Sequence, residues 1–193
     1  MKIKTNQITA IILAGGKSSR LKKNKAFLPI NGKTLIETVI GNLTPYFDEI
    51  IISASSKRKL CGLPCQTVLD EQPGFGPLMG ILSGLRASKN QNNFIIACDI
   101  PEFNHPFFTK MLPYINHHEI VVPVNGHNLF EPLFAFYRKN LIPLLEKHMQ
   151  QDKRKVNQLL ANCHTKYVGM EDNDKQPSLK TGGARMRSYS CLP

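Results

Sequence analysis

Short apolar runs alternate with longer segments of helical spacing along most of this chain. The apolar runs are TAIIL (9–13), EIIISA (49–54), QTVL (66–69), FIIACD (94–99), EIVVPV (119–124), LFAFY (133–137) and HTKYVGM (164–170). The helical segments are TLIETVIGNL (34–43), LMGILSGLRAS (78–88), HPFFTKMLPYI (105–115), NLIPLLEKHM (140–149) and KVNQLLAN (155–162). Runs without polar alternation are typical of parallel strands that helices bury on both faces. The sequence therefore predicts one α/β domain, a three-layer α/β/α sandwich with a mostly parallel sheet, whose ligands bind at the carboxyl ends of the strands.

The composition is that of a globular protein. The chain has 193 residues, of which 41% are hydrophobic and 20% charged, and this suits one domain with a small extension. No apolar run approaches the roughly 20 residues of a membrane helix, and the N-terminal MKIKTNQ leads into a predicted strand rather than reading as a signal peptide. The five cysteines form no C-x-x-C pair. We therefore expect reduced thiols in a cytoplasmic protein that has no membrane partner.

The positive charge falls into three clusters. The formal net charge is +11, and the cations concentrate in the loop after the first apolar run, at 57–59 and at 153–155. Such clusters attract any polyanion, including nucleotides and nucleic acid. Tryptophan is absent and most aromatic residues lie in apolar runs, so the stacking platform of a nucleic-acid binder is missing. We expect no nucleic-acid partner, and we interpret the second and third clusters as solvated surface.

The first cluster surrounds a pair of glycines. The sequence Gly16-Lys17-Ser18 resembles the end of a P-loop, but Ile11 stands where the first glycine of that motif would have to be. The physical basis of a phosphate site is still present, because Gly15 and Gly16 allow the backbone N–H groups to approach an anion closely. Arg20 and Lys25 follow at distances from which they could reach back over the same phosphates.

Two acids end predicted strands. Asp70 follows QTVL and opens DEQPGFGPLMG, a glycine-rich loop that leads into a helix N-terminus and is favourable for anions. Asp99 ends FIIACD, where a carboxylate is a natural ligand for Mg²⁺, which completes its coordination with water and phosphate oxygens. Because the carboxyl ends of parallel strands share one edge of the sheet, we expect both acids, the glycine loops and the cations to converge there.

Four segments together resemble the signature of a known family. They are LAGGKSSR, KNKAFLPINGKTL, GPLMGILSGL and ACDIP, in that order, and they are similar to motifs of the molybdenum cofactor guanylyltransferases. The resemblance covers roughly residues 8–170. It implies a fold of the nucleotide-diphospho-sugar transferase type, with a Rossmann-like sheet, and a nucleotidyltransferase domain at 1–170. Residues 171–193 lack periodicity, and we expect them to form an atypical, flexible C-terminal tail.

The resemblance also implies roles by position. The implied nucleotide-binding residues are Leu13, Ala14, Gly15, Gly16, Lys25, Ser53, Asp70 and Asp99. The implied catalytic residues are Arg20, Lys25 and Asp99, of which Asp99 is the Mg²⁺ ligand. Three features depart from the family pattern. Ser53 replaces a usual Asn, Lys22 and Asn24 replace a Gly and an Asp, and a closing segment like F-x-N-x-N-T-P is not found.

The implied activity is transfer of GMP from GTP to the terminal phosphate of molybdenum-molybdopterin, with release of pyrophosphate. The substrates would be GTP and molybdenum-molybdopterin, the cofactor Mg²⁺, and further partners the molybdoenzymes or their chaperones. Two alternatives stay open. The chain could use CTP or UTP with molybdopterin or with a phosphorylated sugar or polyol. It could also be a non-catalytic nucleotide-binding partner of molybdoenzymes.

Overall fold

A computed structural model of the protein describes residues 7–15, 25–30, 32–56, 60, 62–72, 75–125 and 129–171. The strands are β1 (Ile8–Leu13), β2 (Pro29–Ile30), β3 (Lys33–Thr34), β4 (Glu49–Ala54), β5 (Gln66–Leu69), β6 (Asn92–Ala97), β7 (Ile120–Val124), β8 (Phe134–Arg138) and β9 (Thr165–Gly169). The α-helices are α1 (Leu35–Leu43), α2 (Pro77–Ala87), α3 (His105–Met111), α4 (Ile142–Gln150) and α5 (Val156–Leu160). Single turns of 3₁₀-helix cover Lys25–Phe27, Leu112–Tyr114 and Lys139–Leu141.

Seven of these strands form one sheet in the order β5-β4-β1-β6-β8-β7-β9. Every neighbouring pair is parallel except those of β8, which runs antiparallel to both β6 and β7. The predicted α/β class and mostly parallel sheet are therefore confirmed. Because β8 is reversed, its amino end lies at the same edge as the carboxyl ends of β1, β4, β5 and β6.

Helices cover both faces of the sheet and create two separate cores. Along β1, Ile12 faces a core that contains residues of α1 and α3. Ile11 and Leu13 face the other core, which contains residues of α2, α4 and α5. All six residues of β1 are buried, because this strand lies in the middle of the sheet with neighbours on both sides. The three-layer arrangement predicted from the unbroken apolar runs is therefore present.

The start of α1 shows how local sequence defines an element. Thr34 is its N-cap, and the Thr34 N–H donates to Glu37 Oε2 at 2.7 Å. The Glu37 N–H donates to Thr34 Oγ1 at 3.4 Å, which completes a capping box. The N–H of Leu35, the first residue of α1, donates to the Leu28 carbonyl at 3.0 Å, so the segment that begins at Lys25 is tied to this helix. Within the described ranges, no helix combines the length and apolar character needed to cross a membrane.

Candidate active site

Backbone hydrogen bonds extend the sheet slightly beyond its strands at the carboxyl edge. The Ala14 N–H donates to the Ser53 carbonyl at 2.8 Å, and the Asp70 N–H donates to the Ala54 carbonyl at 2.9 Å. The loops that follow β1, β4 and β5 therefore leave the sheet from fixed positions. Leu13 and Ala14 are buried in this ladder, and the Leu13 carbonyl and the Ala14 N–H are both hydrogen-bonded within it, so their role towards a nucleotide stays a prediction.

Gly15, Ser53, Asp70 and Gly80 form a close-packed cradle at this edge. Ser53 Oγ donates a hydrogen bond to Asp70 Oδ1 at 3.0 Å. A Cβ atom on Gly15 would lie 3.2 Å from Asp70 Oδ2, and one on Gly80 would lie 3.2 Å from Ser53 Oγ. Both glycines therefore allow the backbone to approach the serine and the carboxyl group more closely than other residues would.

The electrostatic state of Asp70 is set by its surroundings. Burial raises the pKa of the Asp70 carboxyl group, and the hydrogen bond from Ser53 opposes part of that rise. A partly buried acid at the mouth of a parallel sheet is characteristic of a binding or catalytic site. The structure brings Gly15, Ser53 and Asp70 together, as the sequence predicted; their roles towards a nucleotide stay a prediction.

Asp99 lies beside this cradle, in the loop after β6. The predicted strand extended to Asp99, whereas β6 ends at Ala97 and Cys98-Asp99 form a turn. The Cys98 N–H donates to the Leu13 carbonyl at 3.1 Å, which joins this turn to the end of β1. Asp99 is half-buried. It thus lies one strand away from the Gly15 loop, on the opposite side of β1 from Ser53 and Asp70.

Glu131 is a candidate site residue that sequence reasoning missed. The Ala97 N–H donates to the Leu133 carbonyl at 2.9 Å, which continues the antiparallel register of β6 and β8 by one position. Beyond this pair both segments turn away from the ladder, because the Ile100 N–H donates to the Ala97 carbonyl and the Phe134 N–H donates to the Glu131 carbonyl. The two turns lie near each other at this edge, and the carboxyl groups of Asp99 and Glu131 interact electrostatically. Burial raises the pKa of Glu131, and the negative charge of Asp99 raises it further. The sequence offered only a Glu-Pro pair before an apolar run, and the direction of that run could not be read.

The basic cluster at 153–155 also reaches this edge. β8 ends at the edge of the sheet opposite the candidate site. The next helix, α4, runs back across the sheet, so residues 153–155 follow it at the edge where the site lies. The Arg154 guanidinium lies over the Phe75 ring, 5.1 Å from its centroid, and Phe75 belongs to the loop between β5 and α2. That loop ends at Gly76, the N-cap of α2, which has no side chain to cap the helix. The cluster is largely exposed, as expected, but it borders the candidate site.

The remaining predicted residues are only partly covered. Gly16 and Arg20 lie outside the described residues, as do Lys22 and Asn24. Lys25 opens the 3₁₀ turn Lys25–Phe27, so its backbone position is defined. Among the described residues, no group of three or more His, Cys, Asp or Glu side chains could hold a metal ion. The phosphate side of the site is therefore still a sequence-based prediction.

Comparisons with known proteins identify the family of the chain and support its fold. The sequence model of the MobA-like NTP transferase domain matches residues 10–167. A relative from Peptoclostridium acidaminophilum, named "Probable molybdenum cofactor guanylyltransferase", is 39% identical over an alignment of 173 positions that covers 83% of this chain and 75% of the relative. The crystal structure of molybdopterin-guanine dinucleotide biosynthesis protein A from Archaeoglobus fulgidus superimposes with a TM-score of 0.72 at 22% identity, covering 83% of each chain.

A second solved structure, a putative protein from Aquifex aeolicus, superimposes with a TM-score of 0.77 at 24% identity and covers 93% of this chain and 96% of its own. The two solved structures support the nucleotidyltransferase type of fold that the sequence predicted. The family match spans most of the chain and includes every described residue of the candidate site. We conclude that this chain belongs to the MobA-like NTP transferase family.

Proposed function

We propose that the protein transfers GMP from GTP to the terminal phosphate of molybdenum-molybdopterin and releases pyrophosphate. The observation that carries this proposal is the cradle of Gly15, Ser53 and Asp70 next to Asp99, at one edge of a nucleotidyltransferase sheet. The name of the Peptoclostridium relative supports the choice of substrates.

The reaction requires alignment more than acid–base chemistry. An oxygen of the acceptor phosphate attacks the α-phosphorus of GTP, a new P–O bond forms, and the bond to the bridging α–β oxygen breaks as pyrophosphate leaves with its electron pair. The attacking phosphate is already ionised at pH 7, so no strong general base is needed. The protein has to hold the two reactants in line and offset the charge on the leaving group. Arg20, Lys25 and the amides after β1 are the groups that we assign to this role.

The donor chemistry at the edge fits Mg²⁺. This ion binds to one or two carboxylates and completes its octahedron with water and phosphate oxygens, and Asp99 supplies such a carboxylate in the loop after β6. A dedicated protein cage is not needed, which agrees with the lack of a larger ligand cluster in the described ranges. When bound, Mg²⁺ would supply positive charge at the phosphates.

Asp70 is suited to recognise guanine. An ionised carboxyl group only accepts hydrogen bonds, and guanine presents its N1–H and its exocyclic amino group side by side as donors. Cytosine and uracil lack this pair of adjacent donors. The hydrogen bond from Ser53 favours the ionised form of Asp70 and leaves its second oxygen facing Gly15. We therefore assign the base to the side of the edge formed by β4 and β5, and the cation to the side of β6.

The acceptor is also a polyanion. Arg154 lies against the loop between β5 and α2, and with its sequence neighbours Lys153 and Lys155 it can attract the phosphate of molybdopterin. Since the product is a cofactor, molybdoenzymes or their chaperones are its expected recipients. We place the reaction in the cytoplasm, where thiols such as those of Cys65 and Cys163 stay reduced.

The proposal is tested by incubating the protein with molybdenum-molybdopterin, Mg²⁺ and each of GTP, CTP, UTP and ATP. Pyrophosphate release and formation of the dinucleotide are measured, together with the thermal stability of the protein with each nucleotide. We expect transfer with GTP far above the others, and none without Mg²⁺. Preference for CTP or UTP would support the first alternative. Stabilisation by GTP without pyrophosphate release would instead indicate a non-catalytic nucleotide-binding partner.

A further inference from the structure

Arg86, in the last turn of α2, contacts two acidic residues from other parts of the chain. Its Nη1 atom lies 2.6 Å from Glu71 Oε2, and its Nη2 atom donates to Glu146 Oε1 at 2.8 Å. Glu71 follows Asp70 in the loop between β5 and α2, and Glu146 lies in the middle of α4. One guanidinium group therefore connects the loop that begins with Asp70 to two helices.

The geometry of this triad differs from that of an isolated surface ion pair. An isolated exposed pair contributes little, because two flexible side chains must be fixed for a single contact. Here separate nitrogen atoms of one planar group contact two carboxylates, so one ordered arginine serves both. The hydrogen bonds with Glu71 and Glu146 raise the pKa of Arg86. Leu145, the neighbour of Glu146, is completely buried, so α4 is a fixed support for the triad.

The loop between β5 and α2 gains little from burial at its described residues. Glu71, Gln72 and Gly76 are exposed, and Phe75 is only partly buried. Gly76 has a φ of 59° and makes no side-chain hydrogen bond to the helix that it precedes. The triad holds the beginning of this loop, and the Arg154 guanidinium covers Phe75 near its end. The position of the loop therefore depends on these charged contacts more than on burial.

We propose that Arg86 is a positioning residue for guanine recognition, because it holds Glu71 and so fixes the start of the loop that presents Asp70 to the base. The inference rests on the proposed function, since it takes Asp70 as the acceptor for the guanine donors. The effect of Arg86 passes through the backbone from Glu71 to Asp70. Ser53 thus sets the ionisation of Asp70, whereas Arg86 sets its position.

The position of the loop is measured first, by hydrogen exchange of peptides that cover residues 70–78, with residues 92–97 of β6 as the reference. Arg86→Gln removes the charge, and Arg86→Lys keeps the charge but loses the planar group. Lys147→Gln is the matched control, since Lys147 is an exposed cation on α4. We expect exchange at 70–78 to become about threefold faster or more in Arg86→Gln. The change should be smaller in Arg86→Lys and absent in Lys147→Gln, and β6 should exchange as in wild type.

Base recognition is measured next, by calorimetry with Mg²⁺ and without acceptor, using GTP and inosine triphosphate. The inosine nucleotide lacks the exocyclic amino group, so the ratio of the two Kd values reports the contact of Asp70 with that group rather than global stability. We expect Arg86→Gln to weaken GTP binding by about threefold to tenfold and to weaken binding of the inosine nucleotide less. In an Asp70→Asn background, Arg86→Gln should cause little further loss, because both changes act on one contact.

Several results would overturn the proposal. They are unchanged exchange at 70–78 in Arg86→Gln, equal losses of affinity for the two nucleotides, and a loss in the double variant that is the sum of the single losses. Equal binding of both nucleotides by the wild type would also overturn it, since Asp70 would then not read the amino group. If Arg86→Gln does not fold, the same measurements on Arg86→Lys decide the question.

Failure of the inference can be told apart from failure of the proposed function. Selective GTP binding that Arg86→Gln reduces, in a protein that releases no pyrophosphate, would leave the inference standing while the proposed function fails. Transfer of GMP by an Arg86→Gln variant that keeps the wild-type ratio of the two Kd values would reject the inference alone.

Discussion

The carboxyl group of Asp70 accepts a hydrogen bond from the neutral hydroxyl group of Ser53. Burial raises its pKa, and the hydroxyl group of Ser53, 3.0 Å away, opposes this effect by donating to the ionised form. The sequence predicted an acid here because a strand end followed by a glycine loop is a common position for ligand-binding residues. It also marked Ser53 as a departure from its family. The structure shows that a serine at this position still supports the acid directly.

Replacing Ser53 by Ala should shift the pH dependence of GTP binding. Without the hydrogen bond, the pKa of Asp70 rises further, so the ionised form is lost at a higher pH as the solution is acidified. We expect the acidic limb of GTP affinity, measured by calorimetry with Mg²⁺, to move to higher pH in Ser53→Ala. Asp70→Asn should bind GTP weakly, and its GTP affinity should not decrease further as the pH is lowered. Coincident profiles for wild type and Ser53→Ala would show that Asp70 does not bind the base as an ionised group.

Asp99 should be needed for turnover but not for folding. Asp99→Asn keeps the shape of the side chain and removes its charge, so the proposed cation would lose its carboxylate. We expect kcat to fall by about 100-fold or more, with little change in the temperature of unfolding. Asp48→Asn is the control, since Asp48 is exposed and immediately precedes β4 at the far edge of the sheet. Pyrophosphate release is the assay, and near-normal turnover in Asp99→Asn would remove Asp99 from the site.

Strand direction is the element-level property that the sequence did not reveal. The runs EIIISA and QTVL coincide with β4 and β5, because buried β-branched runs are recognisable locally. LFAFY was also read as a strand, yet a strand buried on both faces has the same apolar character in either direction. Its pairing with β6 is a long-range property, and for this reason Glu131 was missed. The β2–β3 hairpin was missed because strands of two residues have no detectable period.

The packing of α2 on β1 depends on Gly84. A Cβ atom there would lie 2.4 Å from Ile11 Cγ2, and Ile11 is fully buried and branched at Cβ, so it cannot move aside easily. We expect Gly84→Ala to lower the free energy of unfolding by about 1–3 kcal/mol, measured by urea denaturation. Gly41→Ala, in α1 with no atom near the added methyl group, should instead stabilise by about 0.5–1 kcal/mol. A neutral or stabilising Gly84→Ala would mean that the interface between α2 and β1 adapts.

At the scale of the whole molecule, the site is assembled from distant parts of the chain. The first loop, the loop after β5 and the turn after β6 were predicted to meet because parallel strands share an edge. The cluster at 153–155 was not placed there, since its position depends on the reversal at β8 and on the return path of α4. The contact of Arg154 with Phe75 places part of the +11 charge beside the loop between β5 and α2. Residues 172–193 lie outside the described ranges, so the predicted tail stays a prediction.

The cluster also affects a buried histidine on α4. His148 is 2% exposed, and its Nδ1 atom has no hydrogen-bond partner among the residues that the structure describes. Burial lowers the pKa of His148, and the positive charges of Lys153 and Lys147 lower it further. The folded protein therefore holds this imidazole neutral under conditions in which an unfolded chain would begin to protonate it. The cations that border the site thus have a consequence for global stability.

Acidification should destabilise the protein through His148. The unfolded chain takes up this proton near pH 6.5 and the folded chain only at lower pH, so the contribution is complete above that value and is lost as pH falls through it. We expect the free energy of unfolding in urea to decrease between pH 7.5 and 5.5, by at most about 1.4 kcal/mol per pH unit from this group. His148→Leu should decrease less over the same range, whereas His117→Gln, at an exposed position, should behave like wild type. Equal slopes for wild type and His148→Leu would assign the acid sensitivity to other groups.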